Sequence, residues 1–465
     1  MKHLTRRDML RTAVLAGLAL PALNACAQPV ASGGSPAAPV PTSSTNPLGV
    51  ALDRPLEVWI FDGGFGDAYA RDIHEPMLKS RYAGLEIKHN AAKEVGKALQ
   101  PRFAGGNPPE LVMNSGDGKM DLGALVQDSQ LADLTPLLDA PSWDDPSKKV
   151  RDVVDPGAIA QGSYDGVPRV INYVNTVWGI WYSTKLFDEN GWQVPKTWAD
   201  FIALCETIKK SGKAAPFTFA GKYPFYIYET ILTLAAKIGG ADVLKRIDNL
   251  EPGAWTAEPV KQAAKAFADL QPYLLSGTAG LDHVQTQTAH NKYQVAMLPC
   301  GSWLENEQKD ATPADFGYAM FPLPDFSPSD ALPYGTLHAQ PGEPYVVPSK
   351  SANVGAGLEY LRVMLSKEGA GRFTELVSTL TIVKGATEGR SLKPGLASAA
   401  KALDTAGDNT VYFLFNSWYK PLEDEVVAAT GQLMAGKLAV DAWAERIDKK
   451  AAEIKSDSSV RTFTR

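Results

Sequence analysis

The sequence predicts an α/β fold in two lobes, and three observations carry that expectation. Its 465 residues exceed what one simple core fills and suit two lobes of roughly 150–200 residues each. From residue 55 onward, short β-prone runs alternate with amphipathic stretches, the order that builds a parallel, doubly wound sheet. Hydrophobic residues make up 45% and charge content is ordinary, so the bulk of the chain folds as a globular body.

The elements follow in order. Leu56-Glu57-Val58-Trp59-Ile60-Phe61 is a strand that stops at Gly63-Gly64. A helix over 67–82 ends at Gly84, a residue suited to the position after a helix. Residues 85–89 read as a second strand, 94–103 as a second helix and 110–113 as a third strand after the turn Gly105 to Pro109. In such sheets ligands sit beyond the carboxyl ends of the strands, which places residues 62–67 and 114–117 at a cleft by topology. In the middle of the chain, Thr197 with Asp200 three residues on starts a helix over 198–210 that closes at Ser211-Gly212. Residues 217–219 and 294–298 are strand-like, and 354–365, 423–434 and 440–454 are amphipathic helices.

The first residues read as a targeting segment rather than as fold. Lys2, Arg6, Arg7 and Arg11 form a basic start, and the apolar run 13–23 is too short to cross a bilayer of ~30 Å. Thr5-Arg6-Arg7-Asp8-Met9-Leu10 resembles a twin-arginine export signal, with Met9 where Phe is usual. Leu23-Asn24-Ala25-Cys26 looks like a bacterial lipobox, which makes residues 1–25 the signal peptide and Cys26 the acylated first residue. The rival is an unlipidated, cleavable signal. Residues 26–54 are rich in Pro, Ala, Ser and Gly and read as a flexible tether. The expected location is the outer face of the cell membrane.

The net charge of −6 and the lack of any long basic run argue against nucleic acid as a partner. Three cysteines leave no CxxC metal site. Cys205 and Cys300 are read as two buried thiols, with a disulfide as the alternative. No cofactor or metal is expected.

Several phrases resemble the carbohydrate-binding proteins of bacterial ABC importers, the extracellular solute-binding family 1. They are Tyr164 to Pro168, Trp181 to Phe187, Pro195 to Phe201, Val295 to Trp303, Val347 to Lys350 and Leu365 to Gly369, spread in order over nearly the whole mature chain. Phe61 to Tyr69, Gln100 to Pro109, Ala220 to Tyr226, Pro299 to Glu307 and Gly342 to Tyr345 are similar to a narrower group. That group is the actinobacterial lipoproteins that bind N-acetylglucosamine and N,N′-diacetylchitobiose. The resemblance implies a two-lobed, periplasmic-binding-protein-like fold of type II, with a hinge and an inter-lobe cleft. By analogy one lobe takes residues 55–176 and 336–400, and the other 177–335 and 401–465. It also implies a monomer, membrane permease subunits as partners and no enzymatic activity.

A saccharide offers rings of hydroxyls and faces of C–H groups, so its site needs flat aromatic walls and a few fixed polar groups. Trp303, after the strand 294–298 and the Gly301-Ser302 turn, is the first candidate for a stacking platform, as the family resemblance also implies. Phe65, Tyr223, Tyr226 and Trp418 are further aromatic candidates, each with core packing as its rival. Asp67 and Asp117 lie at strand ends, and Asn172 and Tyr173 precede the expected crossing strand. Glu305, Asn306 and Glu343 complete the set, although a helix terminus or a plain surface explains them equally well.

Catalytic patterns are missing or broken. Gly63-Gly64-Phe65-Gly66 is not GxGxxG; the run from Asp117 has Lys119 and Leu122 where a calcium loop needs a ligand and Gly; and HExxH, GxSxG and Walker motifs are absent. A secreted glycoside hydrolase is the rival class, and it requires two carboxyl groups about 5–9.5 Å apart across a sugar.

Overall fold

The computed structural model describes residues 40–407 and 409–465. The export segment, Cys26 and most of the expected tether lie outside the described residues.

One sheet runs through the body in the order Ile87–Ala92, Leu56–Phe61, Leu111–Met113, Leu337–Val346, Ile171–Ser183, Val295–Gly301, Ala215–Phe217. The first three strands are parallel, as their alternation with helices requires. In Leu56–Phe61 the period of two is visible in the packing. Leu56, Val58 and Ile60 are sealed in one apolar cluster, while Trp59 packs against another.

Two long strands tie the halves together. Residues Ile171 to Val177 pair antiparallel with Leu337–Val346. From Trp178 onward the same strand pairs with Val295–Gly301 and Tyr318–Phe321. The exchange of partners at Val177 and Trp178 makes Ile171–Ser183 a crossing strand and Leu337–Val346 its return. Beyond it, Val295–Gly301 and Ala215–Phe217 are parallel again.

Apolar side chains gather accordingly. One cluster holds Leu56, Tyr69, Tyr173, Tyr345 and Phe373 beside the first strands. Another runs from Val95, Leu99 and Val112 of the first half to Phe217, Ile227, Leu244, Phe267 and Trp443 beneath the helices of the second. The architecture is the two-lobed α/β fold of type II, with the two parallel half-sheets meeting through the crossing strands.

Three local expectations change. The helix expected over 67–82 opens with a π-turn, Ala70–His74, and becomes regular only at Glu75–Arg81. Pro76 has no N–H to donate back along the helix, so the regular register does not run through it. The second strand runs Ile87–Ala92, because it pairs along its whole length with Leu56–Phe61. The tether ends before residue 54. Leu48, Val50 and Ala51 are buried, Asn46 bonds to both backbone groups of Val50, and Asn353 does the same for Ala51. Those paired backbone groups and sealed side chains offset the ordering entropy that composition alone suggested would win.

The cap at Thr197 forms as expected: its hydroxyl accepts from the Asp200 N–H at 3.1 Å and starts the helix Trp198–Ser211. Cys205 and Cys300 are both buried free thiols. Among the described residues, no helix is long and apolar enough to cross a membrane.

Candidate functional site

The carboxyl ends of the two half-sheets face one another. On the first side, Phe61 leads into 62–67 and Met113 into 114–119. On the other, Phe217 leads into 218–224 and Gly301 into 302–307. These loops touch across the gap: the Asn306 amide donates to the Gly64 carbonyl at 2.7 Å, and the Glu307 carboxylate lies against Gly64. Lys119 reaches Glu423 at 3.0 Å, and the Tyr228 hydroxyl donates to the same carboxylate at 3.4 Å.

Glycine is required where rings press on backbone. A Cβ at Gly116, which has φ +82°, would strike the Phe61 ring, and one at Gly301 would strike the Trp303 indole. Trp303 is thereby folded back over its own turn and remains half-buried. The Trp178 ring meets it edge to face at 4.9 Å, and Tyr226 supports it at 6.1 Å. An indole held in this way, with part of its surface open, is a rigid plate for a sugar face.

Tyr223 is also half-buried and stands 5.4 Å from the His283 ring. His283 reaches Glu307 at 3.4 Å, and Gln287, one helical turn on, donates to that carboxylate at 2.5 Å. The Glu307 hydrogen bond holds the His283 imidazole above its ordinary value despite partial burial, with Asp117 adding to the effect. Burial raises the Tyr223 phenol, and the Asp117 charge acts in the same direction. Asp117 is exposed on the first side, so its field reaches His283 and Tyr223 on the other.

Glu343 lies on the return strand at φ +54°, a left-handed conformation rare for a residue with a side chain. Gly342 and Pro344 pair with Val174 and Asn172, but Glu343 has no partner in the ladder. Its Oε2 is sealed with no hydrogen-bond partner among the described residues. Burial lifts its carboxyl above the usual range, Ser115 and Lys119 pull it down, and Glu307 pushes it up. Asn172 is half-buried beside it on the crossing strand.

The remaining candidates have other occupations. Asp67 forms two hydrogen bonds with Arg71, at 3.0 and 2.9 Å, and one with His89 at 3.1 Å. The Arg71 hydrogen bonds hold its carboxyl below the ordinary range. Glu305 accepts from the N–H groups of Gly395 and Leu396 at 3.2 and 3.1 Å, and so caps the helix Pro394–Ala406. Tyr173 is fully buried, and its hydroxyl donates to the Met364 carbonyl at 3.0 Å. Phe65 sits half-buried, 6.0 Å from Phe373. Trp418 is packed beneath Phe463, at 5.6 Å.

Trp303, Tyr223, Tyr226, Asp117, Asn172 and Glu343 thus belong to the meeting of the loops. Tyr173, Glu305 and Trp418 are tied into packing or capping. Asn306, a weaker polar candidate from the sequence, joins the site too, and His283, Gln287, Glu307 and Lys119 do so without having been singled out for it. A capping box was there to be read: Asp282 and Gln285 cap the helix His283–Asn291, which puts His283 and Gln287 on one face. Among the described residues, no group of three potential metal ligands converges.

Known proteins share this fold. The chain is 35% identical over 424 residues to the diacetylchitobiose binding protein NgcE of Streptomyces coelicolor, which spans 90% of this chain and 88% of that one. A solved chitin oligosaccharide binding protein superposes with a TM-score of 0.71 at 17% identity, covering 87% of this chain and all of that one. A raffinose complex of RafE gives 0.66 at 16% identity, over 86% of this chain and all of its own. The profile of the bacterial extracellular solute-binding proteins matches residues 81–371, and the chain belongs to that family.

Proposed function

We propose that the chain is the capture subunit of an ABC importer, taking up N,N′-diacetylchitobiose or N-acetylglucosamine by closing two lobes around it. The observation that carries this reading is the half-buried Trp303 plate, braced by Trp178 and Tyr226 at the start of the turn whose Asn306 bonds to Gly64 on the first side. The NgcE relative, 35% identical over 90% of this chain, supports the acetylated saccharide over others.

The lobes of this reading are 55–176 with 336–400, and 177–335 with 401–465. The switch of strand partners at Val177 and Trp178 supports the first boundary. The packed residues 46–54 then join the first lobe. The ligand touches both lobes only when they are closed, so it favours the closed form by its differential affinity for that state. The closed form is what the permease subunits recognise. The body acts as a monomer outside the membrane, held by a lipid on Cys26. Each polar contact contributes about 1 kcal/mol and each stacking pair about 0.5–1.5 kcal/mol, so several together give micromolar affinity, about 8 kcal/mol.

The test is a titration of intrinsic tryptophan fluorescence with N-acetylglucosamine, N,N′-diacetylchitobiose and maltose. Saturable binding of an acetylated sugar, with no sugar released from a chromogenic chitobioside, is the expected result. Silence with all three removes the substrate reading, and turnover favours a glycoside hydrolase.

A further inference from the structure

Resting on the saccharide reading of the cleft, we propose that Glu343 selects N-acetylated sugars by donating a hydrogen bond, as the neutral acid, to the acetamido carbonyl oxygen. Three features of its geometry lead there. First, a side-chain-bearing residue holds φ +54° within the return strand, where extended backbone would cost nothing. Strain of this kind persists where a side chain is aimed at a task the regular ladder would prevent. The ladder pairs the residues on both sides and skips this one.

Second, the two carboxyl oxygens differ. Oε2 is sealed, and the donor beside it is the buried, neutral Ser115 hydroxyl, although the side chain as a whole remains part-exposed. An anion spreads charge over both oxygens, and a sealed oxygen with only a neutral hydroxyl beside it disfavours that state. The neutral acid suits the geometry: a carbonyl-type oxygen inside and a hydroxyl at the open side. A hydroxyl donor selects an acceptor, and the amide carbonyl is the strongest acceptor on an N-acetylated sugar.

Third, the residue stands where both sides of the cleft converge. Ser115 and Lys119 approach from the loop after Leu111–Met113, and Glu307 from the loop after Val295–Gly301. Lys119 is already engaged by Glu423, and Glu307 by Gln287 and His283. Behind Glu343 are the phenols of Tyr69 and Tyr345, which bond to each other at 2.6 Å. Burial raises the Glu343 carboxyl above its usual range, the direction that favours the protonated donor. His283 is the nearby titratable imidazole, held above its ordinary value by Glu307, and is the group to control for.

The experiment compares the whole exported protein with Glu343→Gln, Glu343→Leu, Glu343→Gly and His283→Gln, titrating N,N′-diacetylchitobiose and cellobiose from about pH 5 to about pH 9. Wild type should favour the acetylated disaccharide by about tenfold or more, with affinity falling as pH rises through the titration of Glu343. In His283→Gln the absolute affinity is free to change, but the fall with pH persists. Glu343→Gln, whose amide still donates, keeps the preference but loses the pH dependence. Glu343→Leu loses the preference while still binding cellobiose. Glu343→Gly relieves the left-handed strain, so it melts no lower than wild type while losing the preference. That pairing separates a ligand role from a structural one. If Glu343→Gln behaves like Glu343→Leu, or wild-type affinity rises with pH, the donor role is overturned and the cleft stands. If wild type binds neither sugar nor N-acetylglucosamine, the saccharide reading itself falls.

Discussion

Two aromatic clusters of similar make-up sit on either side of the crossing strands, and only one has the form of a site. On the first side Tyr69, His74, Tyr173, Tyr345 and Phe373 pack edge to face at about 5–6 Å. The Tyr69 and Tyr345 hydroxyls satisfy each other, and Tyr173 is satisfied by a backbone carbonyl. On the second side Trp178, Tyr226, Trp303, Tyr223 and His283 form a cluster that opens outward at Trp303, Tyr223 and His283. The two histidines record the difference. Burial pushes His74 down to about 4, whereas a carboxylate across the loop lifts His283. Aromatic content is therefore shared by core and site. What separates them is exposure: every ring of the first cluster is sealed, while Trp303, Tyr223 and His283 keep part of their surface open.

The largest effect that would sharpen this contrast is on stability. Tyr173→Ala should cost about 3–5 kcal/mol in urea unfolding, while folded protein keeps its sugar affinity within about twofold. A large affinity loss at unchanged stability would break the comparison.

Acid comes next. His74 titrates at about 4 when folded and near 6.5 when unfolded, so between those values the unfolded chain binds more protons. Stability from this group is complete above about pH 6.5 and is lost as pH falls toward 4, amounting to about 3 kcal/mol. His290, buried and pushed down to about 3, adds in the same direction. His74→Phe should remove roughly half of that acid sensitivity, read from melting temperatures across the range.

Trp303→Ala should lower affinity for an acetylated disaccharide by about 10–100-fold, or about 1.4–2.8 kcal/mol. Because Trp303 is half-buried, the melting temperature should move far less than for Tyr173→Ala. The smallest effect belongs to the Lys119–Glu423 pair, which is part-exposed. Lys119→Met should change affinity by less than about fivefold, and less still at high salt.

Much of this was legible in the chain itself. The first three strands and their parallel order follow from period and punctuation, because each strand needs only its own alternation and a neighbour of the same kind. The plate at Trp303 was legible because Gly301 permits the turn that folds an indole back on itself. Trp418 looked equivalent in sequence, an aromatic just before a helix. Its fate depends on Phe463, which covers it from 45 residues further along the chain, and no local pattern announces that contact. Asp67 and Glu305 illustrate the same limit: their partners Arg71 and His89, and the N–H groups at 395–396, decide what remains for a ligand. Glu343 was legible as a residue but not as a strained one, since its φ follows from how two distant strands pair.

The most direct measurement is calorimetric titration of the purified exported protein with N,N′-diacetylchitobiose, alongside the Trp303→Ala variant. A single saturating site at micromolar or tighter affinity, with binding lost or weakened at least tenfold in the variant, is the result expected here. Equal affinity in both proteins, or no heat from the wild type with any acetylated saccharide, would contradict it.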